Sequence, residues 1–166
     1  MKELLLQLSS FNIWANQLLV NTIGQLPEEK QNQEVISSFS SLYKTLIHMW
    51  NAESIWWQRM KLEERIERPS DTFTGDFGEL GKKLLQQCRL WEDWVKNASE
   101  LQLQHVFAYQ NTRREQFKQP VKEVLLHIFN HGTYHRGQLI DMFHQLGIEK
   151  LPATDFIVYT RTKNGK

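Results

Sequence analysis

The sequence predicts an all-α fold, a four-helix bundle, from three observations. Four stretches of about 20 residues carry apolar side chains at helical spacing. Glycine, proline or serine signals of the kind that start and stop helices punctuate these stretches. Strand-like character is confined to one short segment before the last of them.

The first helix is expected over roughly Lys2 to Ile23, where Leu4, Leu5, Leu8, Phe11, Ile13, Trp14, Leu18 and Leu19 recur and Gly24 supplies a stop. Lys2, Glu3, Gln7, Asn12 and Asn16 interrupt it, and no cleavage-site pattern follows, so it reads as a helix of the mature chain. Pro27 and the run Glu28 to Gln33 read as a polar connection. The second helix is expected over roughly Ser38 to Leu62, with Ser37, Ser38 and Ser40 as possible N-caps. Its stripe holds Phe39, Leu42, Leu46, Trp50 and Trp57, while Met49, Ile55 and Trp56 widen it beyond one face.

Pro69, Gly75 and Gly78 mark a loop. The third helix, roughly Phe77 to Asn97, has Leu80, Leu84, Leu85, Cys88, Trp91 and Val95 as its stripe, which makes Cys88 a packed core thiol. His105 to Gln119 breaks the rhythm and reads as a short hairpin, with the basic run Thr112-Arg113-Arg114 as solvated loop. Pro120 suits the first turn of the fourth helix, roughly Val121 to Leu146, which stops at Gly147. The tail LPATDFIVYTRTKNGK is too short for another domain, so residues 1–166 read as a single unit.

Composition bounds the function. Apolar residues make up 40% of the chain and charged residues 23%, and the net charge is +1. Such a balance predicts neither a nucleic-acid partner nor an anionic membrane surface. A single cysteine, Cys88, allows no internal disulfide and no cysteine-rich zinc site, and it suits a cytoplasmic protein. No apolar run approaches the roughly 18 residues that a membrane span requires.

The chemistry concentrates in HIFNHGTYHRGQL, where His127, His131 and His135 recur at steps of four. A helix turns by about 100° per residue, which places His135 roughly 40° and His131 roughly 80° from the centre of the apolar arc, on one flank. His127 lies roughly 120° away, near the rim. An i, i+4 pair of imidazoles can meet one divalent ion. Gly132 and Gly137 are costly in a helix, by about 1 kcal/mol each against alanine, and suggest a close approach around the pair. Two histidines do not complete a zinc site, so a third ligand must come from elsewhere. His48, His105, His127 and His144 are the remaining histidines. His144 is opposite to His135 in phase and His105 falls in the loop segment. His48 lies mid-helix beside the small residues Ser41, Thr45 and Ala52.

The segment HIFNHGTYHRGQLIDMFHQLG, with LIHMWNAESIWWQRM upstream and the closing PATDFIVYTR, resembles the DinB/YfiT-like superfamily of metal-binding four-helix bundles. The resemblance covers nearly the whole chain, and its most specific portion is NHxxxHRGQ. It implies that one histidine of the second helix joins the HxxxH pair of the last long helix around a divalent metal, which here means His48, His131 and His135. It implies zinc or nickel as the ion, a homodimer as the assembly, and His127 as an additional histidine outside the ligand set. Several members are similar to transferases that use bacillithiol, mycothiol or related thiols.

Three neutral imidazoles leave an ion's charge uncompensated and a coordination position open, the arrangement of catalytic zinc. A thiol cofactor activated there and directed at an electrophile is the expected chemistry. Glu53, Arg136 and Gln138 are candidates for supporting the ligands or anchoring a substrate, with Glu53 alternatively paired to Arg59. A metalloprotease would place glutamate after the first ligand of the pair, where this chain has Gly132. Trp50, Trp56 and Trp57 are candidates for a pocket wall. A non-catalytic metal-binding stress or interaction protein and a metal-dependent hydrolase are the alternative functions.

Overall fold

Each of the four long apolar stretches folds as a helix in the computed structural model, which describes residues 1–111 and 113–163. In chain order the elements are α1 (Lys2–Gly24), α2 (Glu28–Asn32), α3 (Leu42–Met60), α4 (Phe77–Asn97), α5 (Glu100–Gln104), β1 (Val106–Gln110), β2 (Gln116–Pro120), α6 (Val121–Gln145) and α7 (Phe156–Lys163). Thr112 of the expected basic loop and residues 164–166 of the tail lie outside the described residues.

The long helices close a ring: α1 packs on α4 and α6, and α3 packs on the same two. The core is divided along the bundle axis. One apolar cluster takes Leu19 and Ile23 from α1, Leu42 to Trp50 from α3, Phe77 to Cys88 from α4 and Leu139 to Phe143 from α6. The other takes Leu5, Trp91, Val95, Val121, Leu125 and Ile128, with Trp57 and Met60 packed against it. This order makes α1 and α6 run one way and α3 and α4 the other. Parallel neighbours cannot be joined by a tight turn, so residues 61–76 carry the chain from the end of α3 back to the start of α4.

Several boundaries differ from expectation for identifiable reasons. α3 begins at Leu42, because Ser41 is the residue whose hydroxyl accepts from the Lys44 amide. Phe39 therefore belongs to the segment leading into α3 and not to its stripe. The polar run after Pro27 forms α2, where the Gln31 amide donates to the carbonyls of Ile23 and Leu26 at the end of α1. Ser99 and Gln102 build a reciprocal capping box that starts α5. The tail adds α7, whose Tyr159 packs with Phe11 and Ala15. The hairpin forms as expected, antiparallel, with Val106 opposite Pro120. Gly147 takes a φ of +70°, the left-handed conformation that ends α6. Among the described residues no helix is long and apolar enough to cross a membrane.

Candidate metal centre and the buried polar cluster

Helical phase brings His131 and His135 onto one flank of α6, and the packing of α3 on α6 brings His48 to meet them. His135 Nε2 lies 3.1 Å from His48 Nε2 and 3.0 Å from His131 Nε2. One ligand nitrogen from each of the three rings falls within 4.8 Å of the other two. Two nitrogens bound to one ion at about 2.1 Å can be no more than about 4.2 Å apart, and the two contacts through His135 satisfy that limit. The donor set fits a divalent cation, and these residues could hold one.

The rings are held from behind. Gln138 Oε1 is 2.6 Å from His135 Nδ1. A carbonyl oxygen only accepts, so Nδ1 carries the proton and Nε2 of the neutral ring presents its lone pair to the cluster. The Gln138 amide donates in turn to Ser38 Oγ at 3.1 Å. Phe39 stacks on His48 with ring centroids 4.0 Å apart. The lead-in to α3 thus orients two of the three imidazoles. Burial, with the neighbouring histidines adding repulsion, lowers His48 and His131 to about 4, so both rings stay neutral and ligand-competent near pH 7. Burial lowers His135 as well, opposed by its hydrogen bond to Gln138.

Of the remaining histidines, His127 sits beside the cluster but outside it, edge-on to Trp56 at 5.2 Å and 5.7 Å from the His131 ring. His105 caps the end of α5 and His144 lies in the last turn of α6. The tryptophans divide in the same way. Trp50 packs against Phe73 in the core and Trp57 against Trp91, while Trp56 walls the open cleft beside His48.

Of the three residues expected to support the ligands or anchor a substrate, Gln138 hydrogen-bonds to His135, whereas Glu53 and Arg136 make no hydrogen bond to the histidines. They point into the bundle and form a second polar cluster. Arg136 Nη1 donates to Asn12 Oδ1 at 2.7 Å and to Asn16 Oδ1 at 3.1 Å, and Nη2 donates to Thr133 Oγ1 at 2.7 Å. The Asn12 amide donates to Glu53 Oε1 at 2.9 Å, so Asn12 bridges the cation to the carboxylate. Cys88 completes the group 3.5 Å from Glu53 Oε1. One residue or more from each of α1, α3, α4 and α6 meets here, between the two apolar clusters. Glu53 is not paired with Arg59, because its side chain faces the interior.

Gly132 belongs to this second cluster. A Cβ there would lie 2.9 Å from Asn12 Oδ1 and 3.0 Å from Arg136 Nη1. Gly137 has nothing within 4 Å of the same position, so the expected close approach holds at Gly132 alone. Sequence reading missed the role of Asn12 and Asn16. Two buried amides one turn apart on an apolar face were the available signal.

Comparison with known proteins gives concordant results. The DinB family model matches residues 1–165. Protein DinB of Bacillus subtilis strain 168 is 31% identical over 173 aligned positions, which cover 96% of this chain and 95% of that protein. The crystal structure of a DinB-like protein from Bacillus subtilis superposes with a TM-score of 0.65 at 15% identity, covering 90% of this chain and 98% of the other. That structural likeness establishes the fold.

Proposed function

Starting from the chain's membership of the DinB family, we propose that His48, His131 and His135 hold a divalent metal, zinc or nickel, and that the protein is a metal-dependent transferase. Its co-substrate in this reading is a low-molecular-weight thiol such as bacillithiol. The observation that carries the reading is the convergence of three neutral imidazoles from α3 and α6 beside an open cleft.

The ion, when bound, favours thiolate over thiol near neutral pH. The chain's own residues set the geometry. Gln138 fixes the tautomer of His135, and Phe39 fixes the plane of His48. The thiol proton passes to water, the sulfur lone pair forms a bond to the electrophilic carbon, and the leaving group departs with the bonding electrons. Cys88 is not the nucleophile: it is buried, and burial with the nearby Glu53 holds its thiol well above the usual range. Hydrolysis has less support, because the nearest buried carboxylate, Glu53, faces away from the cluster.

A second reading has its own support. The triad bridges α3 and α6, so an ion there would also tie two helices together. Metal analysis of protein purified without a histidine tag, then assays with a panel of thiols and electrophiles, separate the two. Metal-dependent turnover that disappears in His131→Ala supports the transferase. Bound metal with no turnover, and a melting temperature that falls on chelation, supports the structural role. Absence of any stoichiometric metal overturns both.

A further inference from the structure

We infer that the groove along the outer face of α3 is the seat of a carboxylate on the small molecule whose thiol reaches the histidine cluster, and that Arg59 is the residue that binds it. The inference rests on the reading of the cluster as a thiol-binding metal centre and specifies the substrate class.

A cleft of about 490 Å³ opens beside His48 and runs past Ala52, Ile55 and Trp56 to Arg59. Helical phase explains its straightness. Residues 48, 55 and 59 fall within roughly 20° of one direction on α3, and 52 within about 40°. The groove therefore has His48, one member of the histidine cluster, at one part of its length, an apolar floor in the middle and a cation at its far end.

Arg59 differs from the other cations on this cleft. Arg68 is ion-paired with Asp71 at 3.2 Å, and the Lys44 ammonium donates to Ser40 Oγ at 3.0 Å. The Arg59 guanidinium is held between aromatic faces, 4.7 Å from the centroid of Trp56 and 5.5 Å from that of Tyr109. Among the described residues no carboxylate lies within ion-pair distance of it, and its buried Nε has no acceptor. Glu63 and Glu64 line the neighbouring depression on its other side, and neither pairs with it. A guanidinium fixed in place without an ion-pair partner matches a planar carboxylate, which can accept two parallel hydrogen bonds from its terminal nitrogens.

The spacing restricts the ligand. Eleven residues of helix rise about 16 Å, and the arginine folds back towards Trp56, so the carboxylate and the sulfur should be separated by roughly 10 Å. A methylene or ring system between them would lie on Ile55 and Trp56.

The test uses thiols of graded length. Cobalt-loaded protein is titrated with mercaptopropionate, mercaptooctanoate and mercaptodecanoate, and with the corresponding neutral mercapto alcohols, while its visible spectrum is recorded. The two longer acids should bind about tenfold more tightly than their alcohols, the value of one charge-assisted contact. The shortest acid should show no advantage. Arg59→Met should erase the acid preference without changing affinity for the alcohols, and Arg59→Lys should restore part of it. Equal binding of long acids and alcohols to the unmodified protein overturns the groove assignment and leaves the thiol centre standing. So does an acid preference that persists in folded Arg59→Met, or a melting temperature that falls in that variant with discrimination intact, as a mere helix-terminal cation would give. A protein that takes up no cobalt, or whose spectrum no thiol perturbs, sinks the thiol centre itself. Should Arg59→Met fail to fold, the comparison of acids with alcohols on the unmodified protein still decides.

Discussion

Two polar clusters lie at the same level of this bundle, only one residue apart on α6, and their polar atoms are satisfied in different ways. His135, itself buried, meets His48 and His131, and His48 lines the edge of a cleft. Arg136 faces inward, 1% exposed, to Asn12, Asn16 and Thr133. The inner cluster is nearly complete in itself: donors meet acceptors across four helices, although Glu53 Oε2 and Arg136 Nε are left without partners. In the outer cluster, nitrogen faces nitrogen at about hydrogen-bond distance, and His135 Nε2 meets two neighbours with a single lone pair. A polar group that satisfies itself organises a core, whereas one left waiting for a partner is available for chemistry.

Removing the inner cation should have the largest effect. Arg136→Met leaves the carbonyl oxygens of Asn12 and Asn16 buried without their donor and Glu53 without the nearby cation, and should cost about 3–5 kcal/mol in urea denaturation. His131→Ala in metal-free protein should cost markedly less. If the two variants are equally stable, the division into structural and reactive clusters fails.

Stability against pH sharpens the contrast, because the clusters carry opposite signs. Burial raises Glu53 from 4.5 to about 7, against the opposing bonds from Asn12 and Cys88 and the charge of Arg136. The folded state therefore retains a proton that the unfolded chain has released, and stability is lost as pH rises from 4.5 to about 7. His48 and His131 are lowered from 6.5 to about 4, so the unfolded chain takes up their protons first, and stability is lost as pH falls through that window. In metal-free protein the two slopes oppose each other between pH 4.5 and 6.5. Glu53→Gln removes one of them, and the stability of that variant should rise more steeply with pH, by up to about 1.4 kcal/mol per pH unit. An unchanged slope would show that Glu53 is ionised throughout.

The smallest effects come from the two glycines of α6. Gly132→Ala forces a methyl group against Asn12 and Arg136 and should destabilise by about 1–3 kcal/mol. Gly137→Ala meets open space and should stabilise by up to about 1 kcal/mol. Thermal melts of the pair test whether the glycine at 132 serves the inner cluster.

Much of this was legible in the sequence, and what was not has physical reasons. Long periodic stretches set α1, α3, α4 and α6, and the HxxxH spacing set the pair on α6. His48 could be assigned by resemblance but not by phase, because helix period gives a direction and not the neighbour lying there. Glu53 and Arg136 were read as neighbours of the histidines from their closeness in sequence, yet one residue on from His135 turns a side chain about 100° on a helix and five on from His48 about 140°. Phe39 was counted in a stripe that begins three residues later, since Ser37, Ser38 and Ser40 were the expected caps and Ser41 is the residue that caps α3. α2 and α5 escaped notice because five residues show no period.

The sealed sulfur of Cys88 has a practical consequence. Thiol and disulfide reagents added to the folded protein should find no acceptor on the chain, so any adduct chemistry in solution belongs to the small molecules supplied. Alkylation of that residue by a maleimide would then record each opening of the bundle, giving an internal clock for unfolding without an introduced label.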